Sequence, residues 1–297
     1  MIDVALYNHL IDQEEIFRDL LTTYDGLPAI FNQEAPDDQD EKWASGAQYG
    51  RIVFAVDMRE DPERAASGSL MVDIMCKKGF PSPPPEEIEP VVRKLIDGYF
   101  FPTENQGVMA TQWKTSNSFS VPDQQIAGVT IVFSILAFPL QSTCTDPEPI
   151  FLLNEWTKDL YANSYVIGHD SLPIEAWKPS DACPAIYWRV VQTSKCSWIP
   201  DTYAVSWRTA VLKCHIMAPS YHEVSNILTD MSYRLSLAKR LPFKDGSPLF
   251  TDRNIQTQPG ADPLRTGQLT IEGTFGILTP IEQGLPLKSI GRNYDIK

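Results

Sequence analysis

The chain runs through one plan twice, about 140 residues apart, and this recurrence limits what it can fold into more than any single motif does. In the first half SGSLMVDIMCKK (67–78) is followed by EEIEPVVRKLIDGYFF (86–101) and then by GVTIVFSILAFP (128–139). In the second, WRTAVLKCHIMA (207–218) is followed by YHEVSNILTDMSYRLSLAKRLPF (221–243) and then by GQLTIEGTFGILTP (267–280). Both read strand, helix, long strand. Each half opens with an amphipathic helix, over 3–23 and 148–161. Identity between the halves is low, so the reading rests on element order, spacing and the Gly and Pro punctuation. A tandem duplication accounts for it, and two unrelated halves of similar length are the alternative.

The expected fold class is α+β: two similar domains in tandem, each a largely antiparallel sheet packed against helices. Boundaries fall at 1–142 and 143–280, with a C-terminal arm over 281–297. The 297 residues suit two domains better than one. TCTDPEPIFLL (143–153) reads as the linker, with Pro147 and Pro149 opening the next helix.

Within the first half, Asp3 is the expected N-cap of the opening helix and PAIFNQ (28–33) a short strand. QYGRIVFAVDMR (48–59) and SLMVDIMCKK alternate in polarity and should pair antiparallel, with 60–68 as the connection. FPSPPP (80–85) stops the second strand, because proline cannot donate to a ladder. Glu86, Glu87 and Glu89 then suit the positive end of a helix dipole. In the second half LPIEAW (172–177) takes the place of the short strand, AIYWRVV (185–191) of the first long strand and YAVSWRTAVLKCHIM (203–217) of the second. The long strand near the end of each half should be central, since it is largely apolar.

Composition removes several function classes. The chain carries 38 acids against 25 bases, a net charge of −13, which argues against a dedicated nucleic-acid groove. No stretch approaches the ~18 apolar residues of a membrane helix. The N-terminus lacks the features of a secretory signal, so a cytoplasmic protein is expected. Five cysteines without a CxxC pair argue against a disulfide framework. Four histidines without ligand spacing to them argue against zinc.

Nucleophile elbows, HExxH, Walker and dinucleotide motifs are all missing from the sequence. Asp57, Glu60, Asp61 and Glu63 cluster at a strand end and read as a solvated turn. His169 and Asp170 are adjacent, a spacing that does not make a general base and its orienter. Cys214 and His215 point to opposite faces of a strand, which weakens a Cys–His nucleophile and favours a packed or surface histidine. Trp156, Trp177, Trp188, Trp198 and Trp207 crowd the second half, as a ligand platform, an oligomer interface or ordinary core. The acidic loop over 34–47 lacks a calcium-binding pattern.

The runs AIFNQEAP, QYGRIVFAVDMREDPER, SGSLMVDIMC, EEIEPVVRKLIDGYFF and IAGVTIVFSILAFP make the first half resemble the tail-terminator (tail-completion) proteins of long-tailed bacteriophages. The resemblance covers about residues 1–140 and lies in element order and local phrasing. It implies a structural virion protein without catalytic residues or cofactors. Such a protein forms a ring that ends tail-tube polymerisation and joins tail to head. The implied partners are further copies of itself, the tail tube protein and the head–tail connector, with DNA only as passing cargo and no membrane. Its place would be the virion neck, after assembly in the host cytoplasm. Family members are single domains of about half this length. The doubled chain therefore implies a trimeric ring with pseudo-six-fold symmetry or a six-fold ring with a second tier. A duplicated tube-like hub or other minor tail protein is the alternative within the structural class. A two-domain cytoplasmic enzyme or ligand-binding protein is the alternative outside it.

On the ring reading, the candidate lumen or interface residues are Asp37, Asp38, Asp40, Glu41 and Trp43 of the acidic loop, with Glu60, Asp61, Glu63 and Arg64 of the next connection. Leu285, Leu287, Ile290 and Tyr294 are the candidate contacts of the C-terminal arm.

Overall fold

The computed structural model of the chain describes residues 2–44, 48–79, 83–103, 107–140, 146–251 and 253–278. The arm residues Leu285, Leu287, Ile290 and Tyr294 lie outside the described residues. Two sheets organise the chain, which mixes helix and strand throughout.

The first half begins with α1 (Ile2–Ile11) and the one-turn α2 (Glu14–Phe17), followed by the two-residue strands β1 (Thr23–Tyr24) and β2 (Leu27–Pro28). Then come β3 (Ile30–Asn32), β4 (Arg51–Asp61), β5 (Ala65–Lys77), α3 (Pro85–Ile96), β6 (Phe100–Thr103), β7 (Gly107–Val121) and β8 (Ile126–Phe138). Helix α3 has proline at its start, Glu86 and Glu87 in its first turn and Arg93 and Lys94 in its last, matching the helix dipole at both ends. The alternation seen in the sequence sets the strands: Ile52, Phe54, Leu70, Val72, Ile74, Ile131 and Phe133 are all fully buried. They share one core with Leu6 and Leu10 of α1 and with Ile88, Val92 and Ile96 of α3.

The single helix expected over 3–23 is instead α1 and α2, with Asp3 inside the first turn of α1. Gln13 N bonds Leu10 O three residues back at 3.1 Å, and Gln13 leaves helical geometry with ψ 26°. Beyond Phe17, Thr22 N bonds Gly50 O at 2.9 Å. Pairing with a distant segment has overridden the local helical period.

The second half comprises α4 (Pro149–Leu160), β9 (Tyr165–Ile167), β10 (Ala185–Lys195), β11 (Val205–Met217), α5 (Tyr221–Ala238), β12 (Arg240–Pro242), β13 (Pro248–Phe250), β14 (Ile255–Thr257) and β15 (Leu269–Leu278). Ser220 caps α5 by accepting from Glu223 N at 3.4 Å. The short strand is the Tyr-Val-Ile run of β9, not 172–177. Pro173 breaks that latter segment, and Trp177 crosses instead to the first half, where its N–H and C=O bond Phe100 at 3.0 and 2.7 Å.

The two sheets have the same strand order. The first is β3-β4-β5-β8-β7-β6 and the second β9-β10-β11-β15-β13-β12, with β14 an addition beside β15. In each, the short first strand runs parallel to the next strand and the other neighbours are antiparallel. The register agrees too. Ser67 pairs with Leu136 and Trp207 with Gly276, so both partners are displaced by the same 140 residues (207 − 67 and 276 − 136). The last long strand of each half is interior to its sheet.

Each sheet uses both faces. Even-numbered residues of β11 such as Leu212, Cys214 and Ile216 join the core with α4 and α5, while Met217 faces the other way. There Phe100, Val108, Ala110, Leu136 and Phe138 of the first half pack against Ile167, Ala185, Tyr187, Met217 and Leu264 of the second. The halves thus meet through the sheet faces that their helices leave open. Phe138 and Tyr187 are fully buried here, and each contributes ~1.5–3 kcal/mol by burial alone.

Candidate functional site

The acidic loop is ordered by its own acids. Asp37 Oδ1 accepts from Gln39 N at 2.8 Å and Asp40 Oδ1 from Lys42 N at 3.0 Å, two local turns of the kind aspartate favours. Asp38 accepts from Arg51 Nη1 at 2.7 Å and from the Tyr49 hydroxyl at 3.2 Å. Asp40 Oδ2 accepts from the Tyr24 hydroxyl at 3.0 Å, and Lys42 pairs with Asp25 at 3.1 Å. The backbone bond from Lys42 and then the Tyr24 hydroxyl hold the Asp40 carboxyl below its usual range.

Trp43 anchors the loop. It is buried edge-on between Tyr24 and Phe31, with its indole N–H donated to Asp37 O at 2.9 Å. Of the five loop candidates only Asp37 and Glu41 are exposed, and Asp38 and Asp40 are half-buried. Asp38, Asp40 and Trp43 hold the loop onto the end of the first sheet.

The second candidate group divides in the same way. Strand β4 runs to Asp61 and β5 starts at Ala65, so the connection expected over 60–68 is a tight hairpin turn. Asp61 shapes it by accepting from Glu63 N at 2.9 Å. Glu60 and Glu63 are exposed and Asp61 is half-buried. Arg64 is not a surface residue: it is 3% exposed and turned into the second half of its own chain. Its guanidinium donates to the carbonyls of Leu264, Arg265 (2.9 Å) and Ala137 (3.4 Å), and lies 4.8 Å from the centre of the Phe138 ring.

Around Arg64 the junction gathers residues that no sequence motif connects. His215 is fully buried. Arg189 Nε donates to His215 Nε2 at 3.1 Å, so Nε2 is the unprotonated nitrogen. Nδ1 then carries the proton and donates it to Pro263 O at 2.7 Å. Arg64 Nη2, 3.5 Å from that Nδ1, contacts it without bonding, since both are donors. Burial first, and then the neighbouring Arg64 charge, push the His215 pKa down to about 3, so the ring is neutral. Burial, followed by repulsion from Arg189, lowers Arg64 to about 10, where it keeps its charge at neutral pH. Arg189 completes the set with an ion pair to Glu63 at 3.2 Å.

Gly267 makes this geometry possible. Its φ is +75°, and a Cβ there would stand 2.8 Å from Cys214 O. Only glycine lets the 262–268 loop close onto β11, presenting the carbonyls of Pro263 and Leu264 to His215 and Arg64. An arginine and a histidine inside apolar strands, Arg189 in AIYWRVV and His215 in LKCHIM, were the only signal in the sequence.

The tryptophans of the second half do not form one platform. Trp188 is core, donating to Thr157 Oγ1 at 2.9 Å, and Trp156 packs at the edge of the same core. Trp177 stacks on Phe100 at the junction, with ring centres 4.8 Å apart. Trp198 and Trp207 flank Phe250 near the free end of the second sheet, and Arg253 covers Trp198 at 3.7 Å.

A groove of about 440 Å³ opens beside the junction, lined among others by Phe100, Trp113, Lys178, Met217 and Leu264. Its charged residues are Asp97 and Lys178, and both are occupied. Asp97 Oδ1 accepts from Trp113 N at 2.8 Å, and Lys178 Nζ donates to Asp97 O at 2.6 Å. Cys76, Cys183, Cys196 and Cys214 are free thiols. Among the described residues no three His, Cys, Asp or Glu side chains converge as a metal-ligand set, and no helix is long and apolar enough to cross a membrane. No protein-family model matches the chain, and no curated protein matches it.

Proposed function

We propose that this chain is a structural ring component of a long-tailed bacteriophage, a duplicated tail terminator that caps the tail tube and joins it to the head connector. The observation that carries the reading is the shared strand order of the two sheets at a constant 140-residue displacement, joined by a sheet-face contact. A chain built from two like units that already join one to the other has the material of a head-to-tail ring, whose interface must be heterologous and close on rotation. The resemblance of the first half to tail terminators supplies the place in the virion. A tandem duplication of that domain is part of the proposal, as are the tube protein and the connector as partners. The acidic balance suits a ring that lets DNA pass without holding it.

The test is genetic and visual. Removing the protein should leave overlong tubes that fail to join heads, and adding it back should restore tails of uniform length. Normal, head-joined tails in its absence would end the proposal.

A further inference from the structure

The internal junction has one used copy of each surface and one unused copy. Phe138, at the end of β8, seats on Tyr187 and His215 with ring centres 5.2 and 6.1 Å apart. The matching registers identify its counterpart. Leu136 corresponds to Gly276, so Phe138, two residues on, corresponds to Leu278 at the end of β15. Phe138 is fully buried, while Leu278 is 67% exposed. The receiving residues have counterparts as well. Tyr187 pairs with His215 as Arg51 pairs with Met75, so Arg51 stands for Tyr187 and Met75 for His215.

A second element follows the same correspondence. The β4–β5 tip carries Arg64 into the loop before β15. Its counterpart, the β10–β11 connection over 196–204, carries Tyr203, which is 88% exposed. The counterpart of the loop before β15 is the turn before β8, residues 122–125. That turn borders a pocket of about 460 Å³ together with Asp38, Tyr49 and Lys77. Lys77 in turn occupies the place that Met217 holds in the junction, 140 residues on. Arg51, whose side chain is 12% exposed, is held next to two residues of this pocket, by Asp38 at 2.7 Å and over the Tyr49 ring. Leu278 and the Arg51–Met75 face are matched by strand register, Tyr203 and the 122–125 turn by element order, and the protruding pair and the receiving pair thus fall on opposite halves of the chain.

We infer that a second copy of this chain docks head to tail by repeating the internal junction, with the Leu278 end of one copy on the Arg51–Met75 face of the next. Tyr203 of the first copy then approaches the 122–125 turn of the second. The acidic loop borders this contact through Asp38, whose carboxylate holds Arg51. The inference rests on the ring reading above for its purpose, but the contact itself is a property of the purified chain.

The experiment uses the full-length protein with Cys144 and the exposed Cys183 changed to serine throughout. Light scattering across a concentration series should show self-association. Leu278→Asp and Tyr203→Asp should each weaken it about tenfold or more, as loss of a buried anchor does, with unchanged thermal unfolding because both side chains are exposed. Met75→Cys/Leu278→Cys should give reducible cross-linked multimers under mild oxidation, and neither single cysteine variant should. A wild-type protein that stays monomeric, Asp variants that associate like wild type, or a double-cysteine variant without cross-linked species would each overturn the inference. Tail length in virions separates this result from the capping proposal. Uniform, head-joined tails built with Leu278→Asp leave capping standing and remove only this contact.

Discussion

Arg64 of the first half donates from Nη2 to the main-chain carbonyl of Arg265 in the second at 2.9 Å, 201 residues away in sequence. A guanidinium taken out of water is tolerated only where its N–H groups are satisfied, and here backbone carbonyls from two segments do so. The hairpin tip therefore sets how the two sheets meet.

Arg64→Ala should lower the unfolding free energy by about 2–4 kcal/mol, because it strands buried carbonyls and opens a cavity. Arg59→Ala is the control. Its pair with Asp57 is exposed on both sides, 79% and 61%, and the change should cost less than about 0.5 kcal/mol. Urea denaturation of both variants checks the contrast.

His215 makes stability depend on pH in a defined window. An unfolded histidine titrates near ~6.5, whereas the buried ring titrates at about 3. Between those values the unfolded chain binds the extra proton, so stability is fully present above about 6.5 and falls as pH drops toward 3. Asp40, Asp61, Asp201, Asp230 and Asp245 have lowered values and act below about 4. Comparing denaturation midpoints at pH 7 and 5 isolates the histidine, and His215→Gln should flatten the difference.

The acidic loop should separate into anchors and free charges. Glu41→Ala should change stability by less than about 0.5 kcal/mol, whereas Asp37 also holds a turn through Gln39 N at 2.8 Å. Asp38→Ala should cost about 1–2 kcal/mol, since it unpairs the Arg51 guanidinium, whose side chain is only 12% exposed. Deleting 37–41 outright would remove anchors along with surface. An effect of Glu41→Ala on tail assembly with an unchanged melting temperature is the cleaner sign of a functional loop.

Gly267→Ala should destabilise by about 2 kcal/mol or more. It places a Cβ against Cys214 O from a left-handed backbone, a strain that relaxes only by moving the loop off β11. Gly246→Ala, also at positive φ but with nothing within 4 Å of the added carbon, should cost less. The difference in melting temperature between the two reads the steric part.

The sequence by itself determined the long elements. Alternation over Ile52–Met58 and Leu70–Cys76, the proline-led start of α3 and the apolar run of β8 are local patterns, and local patterns decide whether a segment can bury one face. It also carried the recurrence, because spacing and element order survive where identity does not. What only the tertiary structure decided were the elements whose partners are far away. Residues 18–23 leave the helical period for a bond to Gly50, and Trp177 abandons its own sheet for Phe100. Arg64, an apparent loop charge, is buried because the second half supplies its carbonyls. The acids of the 34–47 loop read as a solvated run, yet Asp38 and Asp40 are spent on Arg51, Tyr49 and Tyr24. A polar side chain's fate depends on the groups that meet it after folding, and one-dimensional pattern holds no record of those. The exposed Leu278 shows the same physics in reverse: its counterpart Phe138 is buried only because another half is there to cover it.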